Sequence, residues 1–181
     1  SVSHFRLALH LGMALFVFAL MLWLALDFRG DLQRRRNRGP HIAFGWVVLA
    51  LLATTIVWGA FVAGLDAGMI YNTFPRMGAG LIPPDFGNPH SSPAGVQFTH
   101  RWLAIMTFCM VMLYPFINRR DSVALLAGVM AMIQVGLGIA TLLTQVNIAL
   151  GAMHQAGAIC LLGLMLASQH HLMHKAGATA I

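Results

Sequence analysis

Five long apolar runs govern what this chain can fold into. They cover 5–26, 43–65, 98–117, 123–143 and 148–169 of its 181 residues. Each reaches the length of about 20 residues that an α-helix needs to cross a hydrocarbon core. In that medium every backbone N–H and C=O must be satisfied by the protein itself, so runs of this length are helices. Composition agrees: 59% of residues are hydrophobic and 9% charged, against about 25% charged in an ordinary soluble domain. The expected fold class is an all-α, polytopic transmembrane helix bundle of five spans, with membrane lipid as its solvent.

Charge placement orients the bundle. The link after the first run carries Arg29, Arg34, Arg35, Arg36 and Arg38; the link after the third carries Arg119 and Arg120; Lys175 follows the fifth. If the spans alternate, these all fall on one side, and the other side receives only Arg6, Arg76 and Arg101. The positive-inside rule assigns the basic side to the cytoplasm or its equivalent. Because the flanking spans explain the arginine run, no nucleic-acid partner is expected. The first run lacks a basic leader and a small-residue cleavage site, so it reads as a span and not as a signal peptide. Its abrupt start suggests that further sequence precedes it. Cys109 and Cys160 fall in mid-span, where they are expected as small buried residues without a disulfide.

Histidines carry the chemistry. A histidine in a span is costly and marks a function by default. His100 lies two residues into the third run, His154 six into the fifth and His10 five into the first. All three runs head inward from the same side, so the three imidazoles share a depth. Two readings follow for His100 and His154. They clamp a haem iron from both faces, or they hydrogen-bond between helices, with the neighbouring glycines serving close packing. Under the first, Gly136 and Gly138 leave room for a flat macrocycle. Arg101 then pairs with haem propionates, and otherwise snorkels to headgroups; Arg76 is a second candidate. Asp66 accepts hydrogen bonds at the haem edge or caps a short helix in the outer loop. Gln134 and Gln155 are expected to bond between helices. His170, His171 and His174 include an i, i+4 pair with metal-binding spacing, though solvation at the membrane interface is the expected role.

The outer loop 66–96 is long enough to require a reason, and its Tyr71, Phe74 and Met77 suit a membrane surface or a pocket cover. A weak internal repeat aligns His10 with His154, bringing ALML at 19–22 onto GLML at 163–166. The first run then looks like the last helix of a preceding unit, and the other four like a complete unit.

Specific blocks carry a family resemblance: RLALHL at 6–11, GAFVAGLDAGMIYNTFPRMG at 59–78, QFTHR at 97–101, QVGLGIATLL at 134–143 and HQ at 154–155. With these the chain resembles the haem A synthases, membrane oxidoreductases that convert haem O to haem A for cytochrome oxidase. The resemblance implies two four-helix halves. Residues 1–28 would be the last helix of an incomplete N-terminal half, 29–42 a basic linker, 43–175 a four-helix haem b domain and 176–181 a tail. It implies His100 and His154 as axial ligands of haem b. It implies His10 as a catalytic-site histidine of the other half, where the substrate haem O reacts and one methyl becomes a formyl group. It further implies haem O synthase or cytochrome oxidase assembly factors as partners, allows a homo-oligomer, and places the protein in a bacterial plasma membrane or a mitochondrial inner membrane. The fragment by itself is expected to be inactive. The residues alone also admit a b-type electron-transfer subunit without substrate chemistry, or a transporter or structural bundle whose histidines pair with each other.

Overall fold

The computed structural model describes residues 3–29, 39–119 and 121–174. Arg34, Arg35, Arg36, Arg38, Arg120 and Lys175, on which much of the charge asymmetry rests, lie outside the described residues. Among the described residues, five helices are each long and apolar enough to cross a membrane: α1 (His4–Arg29), α2 (Pro40–Gly64), α3 (Pro93–Ile117), α4 (Ser122–Leu143) and α5 (Ile148–His174). This is a multi-pass, all-helical membrane protein.

Local chemistry sets the helix ends. Pro40 and Pro93 open α2 and α3, at positions where the missing N–H would be unpaired in any case. The Ser92 hydroxyl caps α3 by accepting from the Gly95 N–H at 3.4 Å, and the Asp121 carboxylate caps α4 by accepting from the Val123 N–H at 3.1 Å. α3 therefore starts five residues before the apolar run at 98, and α5 extends five beyond 169. Hydropathy locates the hydrocarbon, whereas caps locate the helix.

α2 packs on α3, α3 on α4, α4 on α5, and α5 back on α2, so the four close a ring with α3 and α5 at opposite corners. α1 lies outside the ring against α2 and α5. Contacts fix the directions: Thr55 of α2 meets Thr107 of α3 at 2.7 Å, and Gln169 near the end of α5 reaches the Ile42 carbonyl near the start of α2 at 2.8 Å. Ring neighbours are thus antiparallel. α1 runs parallel to α5, because Asp27 meets His170 while Phe18 lies against Gly163. That shared direction is what the 10/154 alignment requires. On α4 the residues turned inward are Ala124, Ala127, Gly128 and Ala131, a small-residue stripe with helical spacing. Lipid supplies no hydrophobic drive for helices to associate, so close approach and polar bonds hold them together.

The end of the bundle opposite the loop 66–96, the inner end if the positive-inside expectation is followed, holds the polar core. Tyr114, Ser168 and Gln169 are fully buried, and Asp121 nearly so. The Tyr114 hydroxyl donates to Gln169 Oε1 at 3.2 Å and lies 3.1 Å from the Ser168 hydroxyl, which in turn donates to the Asp121 carboxylate. Gln169 closes the set on α2, so four elements are joined through one network. Three sequence expectations change. Cys109 and Cys160 are exposed on the bundle surface, not buried. Gln155 is exposed and takes no part in helix packing. His170 is 9% exposed and paired with Asp27 at 2.7 Å, instead of being solvated at the interface.

Gln169→Ala is expected to destabilise the bundle by about 1–3 kcal/mol, because it strips buried partners from Tyr114 and from α2. Gln155→Ala should leave the thermal midpoint in detergent unchanged. Equal midpoints for both variants would contradict the network's role.

Candidate functional site

His100 sits seven residues after the start of α3, and His154 six after the start of α5. At ~1.5 Å per residue these are about 10 and 9 Å along parallel axes. Counted from the helix starts the two positions differ by one residue, against four when counted from the apolar runs. The two histidines lie on opposite corners of the ring, within electrostatic range of each other.

Each imidazole is held in the same way by the helix beside it. His100 Nδ1 lies 3.1 Å from the Thr55 carbonyl of α2, and His154 Nδ1 lies 3.2 Å from the Gln134 carbonyl of α4. A carbonyl only accepts, so Nδ1 carries the hydrogen in both rings and Nε2 keeps its lone pair. Among the described residues neither Nε2 has a hydrogen-bond partner. One turn beyond each carbonyl stands a glycine. A Cβ on Gly59 would lie 3.3 Å from His100 Cε1, and one on Gly138 would lie 2.8 Å from His154 Cε1. The pattern is therefore duplicated: a carbonyl at 55 or 134, a glycine at 59 or 138, and an imidazole laid across them.

This revises the reading of the glycines. Gly138 makes room for the His154 ring, not for a macrocycle. Gly136 is two residues away, about 200° around the helix, and exposed with nothing near its Cβ position. Gln134 does bond between helices: its amide donates to the His154 carbonyl at 2.8 Å, so α4 holds both the ring and the backbone of His154. Thr55, Gly59 and Trp58 were not singled out from sequence. The signal for Thr55 and Gly59, the same carbonyl-to-glycine offset on α2 and α4, acquires meaning only once the helices are paired.

His10 is placed elsewhere. It is exposed on α1, the helix outside the ring, so it is not brought together with His100 and His154. His4, six residues earlier, packs against Phe61 of α2 with ring centroids 6.0 Å apart.

The outer loop is tied down over the outer end of the ring. The Arg101 guanidinium donates from Nη1 to the carbonyls of Thr73, Pro75 and Arg76 at 3.0–3.1 Å, and from Nη2 to Tyr71 at 3.4 Å. Gln97, one turn earlier on α3, donates to the same Tyr71 carbonyl at 3.1 Å. Asn72 donates to the Leu142 carbonyl of α4 at 2.9 Å, and Trp58 of α2 donates to the Pro89 carbonyl at 3.3 Å. Met77 is fully buried beneath. Arg101 is thus a loop clamp, and Arg76 presents an exposed side chain beside it. Asp66 occupies the cap position of a short 3₁₀ turn (Ala67–Met69), with φ of 50° in the left-handed region, yet its side chain makes no capping bond. The Tyr71 phenol donates to the Asp85 carboxylate, which raises its pKa above the ordinary 10.0.

Arg101→Ala should free the loop, and cleavage by a protease added to the detergent-solubilised protein should rise within 71–76; Arg76→Ala should leave that rate unaltered. The Tyr71–Asp85 tether is complete below pH 10 and should be lost only as pH rises through the elevated tyrosine value. An ultraviolet tyrosinate titration of wild type against Tyr71→Phe reads this directly, and a Tyr71 step at or below pH 10 would contradict it.

Known proteins resemble this chain at the level of sequence. The COX15-CtaA family, described as "Cytochrome oxidase assembly protein", matches residues 1–166. A protein of Rhodospirillum centenum named "Heme A synthase" is 43% identical over 94% of this chain and 50% of its own length. "Heme A synthase COX15" of Bos taurus is 39% identical over 91% of this chain and 44% of its own, and that of Homo sapiens 40% over 89% and 43%. The chain spans about half the length of the curated relatives it matches. It belongs to the COX15-CtaA family of cytochrome oxidase assembly proteins.

Proposed function

We propose that these residues form the cofactor-bearing part of a haem A synthase, with His100 and His154 as the two axial ligands of a haem b. The observation that carries this is the pair of Nε2 lone pairs, one six and one seven residues into parallel helices, on opposite corners of one ring. Each ring is oriented by a backbone carbonyl at Nδ1, the second partner that iron-bound histidines commonly have. Two neutral imidazoles are a fitting donor set for haem iron. Held by these two histidines, a haem would supply one-electron transfer.

The protein's own contribution is orientation and shielding. Thr55 and Gln134 hold the imidazoles in the ligating tautomer, and Gly59 and Gly138 let the rings lie close to their neighbouring helices. The loop clamped by Arg101 covers the outer end and limits the entry of water. Arg101 and Arg76 add positive charge there, where the carboxylate arms of a haem would meet solvent. On this reading α2 to α5 are the haem b unit, and α1 belongs to a preceding half. The exposed His10 then faces a second haem site in that half. The whole enzyme oxidises a methyl of haem O to the formyl of haem A, and the 181 residues alone bind haem b without turning over haem O.

A reduced-minus-oxidised optical spectrum of the purified chain tests the assignment. A low-spin b-type spectrum is expected, lost in both His100→Ala and His154→Ala and retained in His10→Ala. Acid-extracted haem should contain no haem A when the chain is given haem O alone. Retention of the spectrum in both ligand variants would overturn the axial assignment, and haem A made by the fragment would overturn the division of labour.

A further inference from the structure

We propose that Asp27, His170 and His174 form a binding site for a divalent transition metal of the zinc class, joining α1 to α5 at the inner end. The site is remote from His100 and His154, which lie near the outer ends of their helices, and the haem assignment makes no use of it. One donor atom from each of the three residues lies within 4.8 Å of the other two. His170 and His174 are one turn apart on α5 and therefore share a face; their ring centroids are 4.3 Å apart. Asp27 arrives from α1, with Oδ1 2.7 Å from His170 Nε2.

The surroundings favour ligation. His174 Nδ1 lies 2.9 Å from the His170 carbonyl. A carbonyl can only accept, so the hydrogen is on Nδ1 and Nε2 keeps a lone pair, the arrangement by which a backbone partner prepares a histidine for metal. Trp23 stands edge-on to both imidazoles, with centroids at 4.9 and 6.3 Å, and is itself stacked on Trp46 at 5.6 Å. These indoles wall the cluster on its apolar side and restrict the rotamers of the two histidines. Two imidazoles and one carboxylate match the donor set of zinc sites that keep a fourth position for water. The hydrogen that His170 Nε2 now directs at Asp27 moves to Nδ1 of the same ring when the metal takes its place. Only Ala8 and Leu15 of α1 are buried, so a metal bridge here would fasten the least embedded helix to the ring.

Equilibrium dialysis of the full 181-residue chain in detergent, with haem bound and after a chelator wash, measures retained Zn²⁺ by elemental analysis. One equivalent per chain is expected, with affinity at least about tenfold lower in Asp27→Asn and in His174→Ala. His171→Ala, whose imidazole faces Asp121 at 3.5 Å, and His90→Ala, at the outer end, should bind as wild type does. Asp27→Asn keeps the size of the side chain and an acceptor for His170, so it remains informative if His174→Ala does not fold. Zn²⁺ should also raise the thermal midpoint of wild type more than that of Asp27→Asn. No retained Zn²⁺, or retention unaffected by Asp27→Asn, would overturn the site.

Discussion

A polar atom inside hydrocarbon has no water to turn to, and the arrangement of this protein follows from that constraint. It forces the backbone into five helices. It also decides how the helices are joined, because a side-chain polar group placed within the bundle can find a partner only on the protein. Gln169 reaches a carbonyl of α2, Ser168 an aspartate at the cap of α4, and Thr55 a threonine of α3. These bonds specify which helix lies beside which, where apolar contact alone would not discriminate, since lipid tails are as apolar as leucine.

The same constraint prepares the histidines. An imidazole in this setting satisfies its N–H on a helix carbonyl, and a carbonyl dictates which nitrogen bears the hydrogen. The opposite nitrogen is thereby left as a base. What meets the cost of burying a polar ring also leaves its second nitrogen free to act as a base, so the structural and the proposed ligating readings of His100 and His154 are complementary at the two nitrogens of one ring. Recurrence of the carbonyl-to-glycine offset on α2 and α4 shows one local solution used twice within the ring.

The two ends of the bundle differ in kind. The outer end is covered by a loop held through its own carbonyls, with Arg101 as a multiple donor, so the cover depends on one side chain of α3. The inner end is closed by side chains bonded to one another, and there α1 is attached through Asp27 and His170. α1 otherwise shows mostly apolar surface, including Leu9, Met13, Phe16 and Met21, the surface expected of a helix in lipid or against further helices.

Length and hydropathy determined the number of spans, because both signals are local in the chain; the starts set by the caps at Ser92 and Asp121 lie outside the apolar runs. That His100 and His154 lie on helices of the same direction was also legible, since alternating spans make the third and the fifth parallel. The family was legible in the loop block at 59–78 and in QFTHR. What sequence could not decide was direction around the helix axis and partnership across it. That is why Gly138 was assigned to a macrocycle when it faces an imidazole, why Gln155 was expected to pack inward when it faces outward, and why His170 was placed in solvent when Asp27, 143 residues away, buries and pairs it. Such assignments depend on which helices become neighbours, and only the closing of the ring settled that.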